Sequence, residues 1–176
     1  MRRGNHRGLP DSKVAPVCCG GRPTPSLARR RRTLRWDTTL GEIYLPRIKR
    51  KRSKLHGWGV FALENINKNK RIITYEGEKI TTKQSEDRED RYLRRGEIWC
   101  FRLNRLWVID ANVDGNVARF INHACKPNCY SNVIDGKIWI IAGKAVKLGE
   151  ELTYDYHTDG DKEIQCRCCP GCKNRL

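Results

Sequence analysis

The run Asn116-Val-Ala-Arg-Phe-Ile-Asn-His-Ala-Cys-Lys-Pro-Asn-Cys129 decides how this chain is read. Its apolar stretch, Val117 to Ile121, delivers a polar pair, Asn122 and His123, to the mouth of a core rather than to open solvent. Cys125 follows, then the turn-forming pair Pro127-Asn128. Taken alone, the run also fits a purely structural account: Asn122 caps a short helix or turn, His123 satisfies a backbone carbonyl, and the two cysteines fill space. Two further segments shift the balance toward a site. Gly149-Glu-Glu-Leu-Thr-Tyr-Asp-Tyr156 follows, and then the thiol-dense Cys166-Arg-Cys-Cys-Pro-Gly-Cys172.

A chain of 176 residues accommodates one domain, with an appendage, and buries a sizeable core. Its charge is uneven. Residues 1 to 54 hold 16 Lys and Arg against 3 acidic residues, whereas residues 55 to 176 hold 20 against 17. Residues 1–42 mix Gly, Pro, Ser and Arg with few large apolar side chains, so they read as a basic, disordered arm. Such an arm suits nucleic acid or another polyanion through counterion release; the plainer alternative is a solvated tail. Cys18-Cys19 within it receives no role.

Nine cysteines without a signal peptide point to a reducing compartment and to metal, hence to an intracellular protein. The Arg-rich start is also a weak match to an organelle transit peptide. No stretch approaches membrane-spanning length, so a soluble protein with no membrane partner is expected.

The coarse pattern is mostly β. Ser53-Lys-Leu-His-Gly-Trp-Gly-Val-Phe-Ala62 sets two glycines around Trp58 before an apolar strand, a pattern that serves a tight hairpin or a close backbone approach to a ligand. Residues 71–80 read as a strand, a turn at Gly77 and the start of another strand. Thr82 to Arg95 is the best helix candidate, with Ser85 as N-cap and Glu86 and Asp87 in the first turn. Ile98–Leu103 with Leu106–Asp110, and residues 134–141 around Asp135-Gly136, read as hairpins.

Four motifs in fixed order, His56-Gly-Trp-Gly-Val-Phe-Ala62, Arg119-Phe-Ile-Asn-His-Ala-Cys125, Glu151-Leu-Thr-Tyr-Asp-Tyr156 and the C-terminal cysteines, resemble SET-domain protein lysine methyltransferases. The wording of the central motif is nearest the trithorax-like branch, and the resemblance covers about three quarters of the chain. It implies small twisted sheets around a knot-like crossing, with a SET domain over 43–160 and a post-SET zinc-binding tail over 161–176. It also implies methyl transfer from S-adenosylmethionine to a lysine of a protein substrate, such as a histone or another basic protein. The location would be nuclear in a eukaryote and cytoplasmic in a bacterium. A non-catalytic SET-like module that binds chromatin or nucleic acid is the alternative, and a basic zinc-containing nucleic-acid binder ranks below both.

By the same resemblance Tyr156 is the catalytic side chain near the methyl, and Tyr154 sits where tyrosine goes with monomethylation. His56, Gly57, Trp58, Trp99, Asn122, His123, Tyr156 and Arg167 would hold the cofactor, with Tyr92 a further contact. Cys166, Cys168 and Cys172, with Cys125 reaching over, would bind one structural zinc ion; Cys169 and Cys129 are competing ligands. Three departures stand out: Trp99 where the family has tyrosine, Ala124 where it has serine, and one residue fewer between Cys168 and Cys172. The chemistry is consistent. Displacement at a sulfonium methyl needs alignment, and a free lysine with a pKa of about 10.4 must be neutral, which a dry channel and a nearby positive charge both favour without a strong base.

Overall fold

The computed structural model describes residues 44–158 and 164–176; the expected arm, 1–42, lies outside the described residues. Three small sheets and one α-helix make up the described fold, which is the mostly β domain expected. No helix among the described residues is long and apolar enough to cross a membrane.

The first sheet carries the site. Strands β1 (Ile48–Arg52) and β2 (Trp58–Ala62) form an antiparallel hairpin that runs from Ile48↔Ala62 to Arg52↔Trp58. Its loop closes with the Ser53 amide donating to the Gly57 carbonyl at 3.1 Å, and Gly57 takes the left-handed φ of 44° that this closure requires. The tight-hairpin reading is therefore correct, and the same loop lines a cavity described below. Strand β10 (Glu151–Tyr154) adds to β2 antiparallel through Leu152↔Val60. On its other side β10 pairs in parallel with β7 (Asn122–His123), placing Thr153 opposite Asn122 and Tyr154 opposite His123. That parallel insertion brings the two decisive motifs together.

The hairpins expected from turn chemistry are present. In β8 (Cys129–Ile134) and β9 (Lys137–Ala142), the turn residues Asp135 and Gly136 have φ of 51° and 71°, the paired left-handed geometry of a two-residue hairpin loop. Strands β5 (Cys100–Arg102) and β6 (Trp107–Asp110) turn at Asn104, whose side-chain oxygen accepts from the amides of Leu106 at 2.9 Å and Trp107 at 3.0 Å. Strands β3 (Arg71–Tyr75) and β4 (Glu78–Thr81) flank Gly77 as expected, yet they join different sheets, β3-β9-β8 and β4-β6-β5. Gly77 lies against the Asp110–Ala111 backbone, where a Cβ has no room.

Helix α1 (Thr82–Leu93) corrects the expected cap. Thr81, not Ser85, is the N-cap, in a capping box with Gln84; Ser85 is buried in the first turn, its hydroxyl donating to the Thr82 carbonyl at 2.8 Å. No acidic residue occupies that turn. Tyr92 is likewise not a cavity residue. It is buried, and its hydroxyl donates to Asp110 at 2.9 Å.

The core is a block of β-branched and aliphatic side chains, including Val60, Ile72, Ile121, Ile140 and Leu152. Asp110 is the fully buried exception, at 0% exposure. It is satisfied by the Arg88 guanidinium at 2.7 Å, by Tyr92 and by the Asn112 amide at 2.9 Å, so it ties α1 to its sheet. Asp110→Ala leaves Arg88 and Tyr92 facing a void and should cost about 3 kcal/mol, read as a lowered urea midpoint.

Candidate active site and cysteine cluster

A cavity of about 480 Å³ opens between the β1–β2 loop, the approach to β5, the Asn122–His123 strand and the C-terminal tail. Of the residues expected at the cofactor, His56, Gly57, Trp58, Trp99, Asn122, His123, Tyr156 and Arg167 line it, and Tyr92 does not. Tyr154 does not. It is buried behind Tyr156, with ring centres 4.9 Å apart, and stacks on Phe101 at 5.8 Å.

Asn122 works as a tie. Its side-chain amide donates to the carbonyls of His56 at 3.3 Å and Trp58 at 2.9 Å and to Glu151 at 2.8 Å. Glu151 also accepts from the Ser53 hydroxyl at 2.8 and 2.9 Å, so both ends of the β1–β2 loop are fastened to one carboxylate-amide pair. His123 has both ring nitrogens engaged. Nδ1 accepts from the Tyr156 amide at 3.3 Å while Nε2 faces the Cys125 sulfur at 3.4 Å, an arrangement satisfied by the neutral tautomer protonated on Nε2. Burial lowers its pKa against the opposing pull of Asp155, whose carboxylate is 3.5 Å away. That leaves His123 no free nitrogen with which to act as a base.

The Tyr156 hydroxyl donates to the Ile121 carbonyl at 2.8 Å. Burial pushes the phenols of Tyr154 and Tyr156 well above their ordinary pKa, so both are neutral at physiological pH. Trp99 is held on the cavity wall by its indole N–H to Glu97 at 3.1 Å and by its edge on Phe120, centroids 6.4 Å apart.

A set of aromatic-cation contacts along this wall is not announced by the motifs. Arg52 lies 4.3 Å from the Trp58 ring centre and Arg50 4.5 Å; Arg50 also covers Phe120 at 4.6 Å, and Arg119 approaches Phe120 at 4.8 Å and Trp99 at 5.6 Å. The run of four cations in β1 carried a signal, but only the pairing register shows which aromatic they cover. Leu55, Gln165 and Leu176 also line the cavity and were not expected.

Beside it, the sulfurs of Cys125, Cys166, Cys168 and Cys172 all lie within 4.8 Å of one another. Cys125 to Cys166 is 3.7 Å, Cys125 to Cys172 3.8 Å and Cys168 to Cys172 3.7 Å. Four sulfurs placed tetrahedrally about 2.3 Å from a zinc ion would be separated by about 3.8 Å, so the donor set fits that ion in both chemistry and spacing. A backbone N–H of Cys125 is the main cause that lowers the Cys168 thiol to about 7, toward the thiolate such a site needs. Cys169 is exposed and outside the set, its sulfur 4.0 Å from Cys168. Cys129 is buried in β8, where burial raises its thiol to about 12. The shortened spacing is absorbed by a turn: the Cys172 amide bonds the Cys169 carbonyl at 3.2 Å, and Gly171 takes φ of 72°.

Residues 57–157 match the family model described as the SET domain. The chain is 43% identical over 138 residues to the histone-lysine N-methyltransferase set1 of Dictyostelium discoideum, covering 74% of this chain and 9% of that protein. It is 44% identical over 128 residues to the histone-lysine N-methyltransferase set-2 of Caenorhabditis elegans, covering 69% of this chain and 8% of that protein. With the H3 lysine-4 specific histone-lysine N-methyltransferase of Schizosaccharomyces pombe, identity is 44% over 133 residues, 70% of this chain and 14% of that protein. The chain thus matches only a small part of each of these long relatives. Together, the family match, these relatives and the motifs that line one cavity place the chain in the SET-domain family, in its trithorax-related branch.

Proposed function

We propose that this chain transfers a methyl group from S-adenosylmethionine to the ε-amine of a protein lysine, with histone H3 lysine-4 as the substrate. The observation that carries this reading is the convergence of the 55–58 loop, Asn122, His123, Tyr156 and the cysteine-tethered tail on one cavity. The name of the Schizosaccharomyces pombe relative supports the choice of H3 lysine-4, and the eukaryotic sources of the relatives support a nuclear location. The domain limits proposed are an arm over 1–42, a SET domain over 43–160 and a tail over 161–176; nucleic-acid contact by the arm belongs to the same proposal.

S-adenosylmethionine, when bound, supplies an electrophilic methyl on a sulfonium. The protein supplies alignment and dryness. Main-chain groups of the His56–Trp58 loop, held by Asn122, would line the donor's site, with Arg167 and Trp99 on its wall. The Tyr156 hydroxyl spends its proton on Ile121, so its oxygen is an acceptor able to orient the incoming amine. As a neutral phenol it does so without a charge that would hold the lysine as ammonium. Zinc at Cys125, Cys166, Cys168 and Cys172 would be structural, fastening the tail beside the cavity.

Tyr154 sits behind Tyr156 and off the cavity lining, and the family resemblance would have its hydroxyl limit the space for a second methyl. Tyr154→Phe should shift the product from monomethyl-lysine toward dimethyl-lysine, seen by mass spectrometry of a substrate peptide. The substrate assignment is tested by incubating the zinc-loaded chain with recombinant histone H3 and with H3 carrying arginine at lysine-4. Label confined to the first protein supports it. Equal labelling of both moves the target to another lysine, and no labelling of either favours the non-catalytic module.

A further inference from the structure

The first sheet bears a second cavity of about 560 Å³ whose rim includes Arg52, Lys54, Lys126 and Lys144. The pairing Lys49↔Phe61 and Lys51↔Gly59 sets two more cations on the Phe61 side of the sheet, since directly opposed strand residues share a face, while Arg52 at the strand end reaches the rim from the Trp58 side. All six are exposed. None of Lys49, Lys54, Lys126 and Lys144 forms an ion pair with another described residue.

Two acidic residues, Glu150 and Glu151, offset only part of the charge of the four rim cations. Glu151 is turned onto Ser53 and Asn122, and Glu150 accepts from the Asn128 side chain and the Lys147 amide, both at 2.9 Å. Asn128 in turn is committed to the Glu151 carbonyl at 2.8 Å. The carboxylates keep their charge but are held as acceptors within the domain, while the cations are exposed. A face of this kind is complementary to a row of phosphates.

We infer that this face docks the sugar-phosphate backbone of duplex DNA. A duplex is favoured over a single strand because the one aromatic ring in the cavity, Phe61, is covered by the Lys51 ammonium at 5.5 Å and offers no open stacking platform. Recognition there would be by charge and not by base sequence. The surface belongs to the folded domain, separate from the basic 1–42 segment, and the inference does not depend on the methyltransferase reading.

The test is fluorescence anisotropy of a short mixed-sequence DNA duplex titrated with the full zinc-loaded chain over a series of salt concentrations. The variants are Lys54→Gln/Lys126→Gln/Lys144→Gln, the corresponding triple Lys→Arg, and a control, Lys68→Gln/Lys83→Gln/Lys137→Gln, at exposed positions off this face. The triple Gln variant should bind at least about tenfold more weakly at physiological salt, and its slope of log K against log salt should flatten by about 0.9 per lysine removed. The Arg triple and the off-face control should keep the wild-type slope. Unchanged zinc content and melting temperature show that the Gln variant is folded, and the Arg triple provides the same readout should it fold poorly. The inference is overturned by an unaltered slope in a folded Gln triple, by an equal loss in the off-face control, by preference for single-stranded RNA at this face, or by no binding of the duplex.

Discussion

Replacing Tyr156 with phenylalanine should reduce methyl transfer by about two to three orders of magnitude while leaving cofactor affinity within a few-fold of wild type. The ring fills space that Phe fills equally: it stands edge-on to His123, centroids 5.5 Å apart, and beside Tyr154. Only the hydroxyl is lost, along with its bond to the Ile121 carbonyl, and with it the acceptor that would orient the amine. An oriented polar group of this kind contributes about 3–4 kcal/mol to a transition state. Stability should fall by far less, about 1 kcal/mol, because a single neutral hydrogen bond is lost. A large loss of rate with intact calorimetric binding of S-adenosylmethionine separates this role from a packing role, which would weaken both.

Removal of the metal should have the second large effect. Cys125→Ser or treatment with a strong chelator is expected to abolish stoichiometric zinc, make residues 164–176 protease-sensitive and weaken S-adenosylmethionine binding by more than about 100-fold. The reason lies in what else holds the tail. Beside the four thiols, its contacts include the Asn174 side-chain amide donating to the Cys125 sulfur at 3.0 Å, the Ile164–Leu176 backbone pair, and Gln165 to the Cys172 carbonyl at 2.7 Å. Those contacts are small beside the roughly 10–16 kcal/mol associated with structural zinc thiolate sites. The tail supplies Gln165, Arg167 and Leu176 to the cavity wall, so its release opens the cavity. The three sheets do not depend on the tail, and far-ultraviolet circular dichroism should change little. Zinc retained by the variant through Cys169 would show that the exposed thiol can substitute.

Local chemistry was legible in the sequence, and partner choice was not. Asp135-Gly136 and the turn at Asn104 declared hairpins because a turn depends on adjacent residues. The separation of β3 and β4 into different sheets was not readable, because it is decided by β9 and β6 elsewhere in the chain. The helix start was misplaced although its signature was present: Thr81 and Ser85 are both capping types, and Gln84, three residues after Thr81, decides between them. At the site, Asn122, His123 and Tyr156 stood out through the family resemblance, whereas the stacking of Arg50 and Arg52 on Trp58 needed the β1–β2 register. Choosing between the neighbours Cys168 and Cys169 needed the turn at Gly171 that directs one sulfur inward and leaves the other exposed.

The most direct measurement uses S-adenosylmethionine with a deuterated methyl group, the full zinc-loaded chain and an H3 tail peptide, with the product sequenced by tandem mass spectrometry. The account predicts a deuterated methyl on a lysine ε-amine, nearly absent from the Tyr156→Phe reaction. A folded, zinc-loaded chain that binds S-adenosylmethionine yet labels no lysine in the peptide, in intact histones or in a nuclear extract would contradict it.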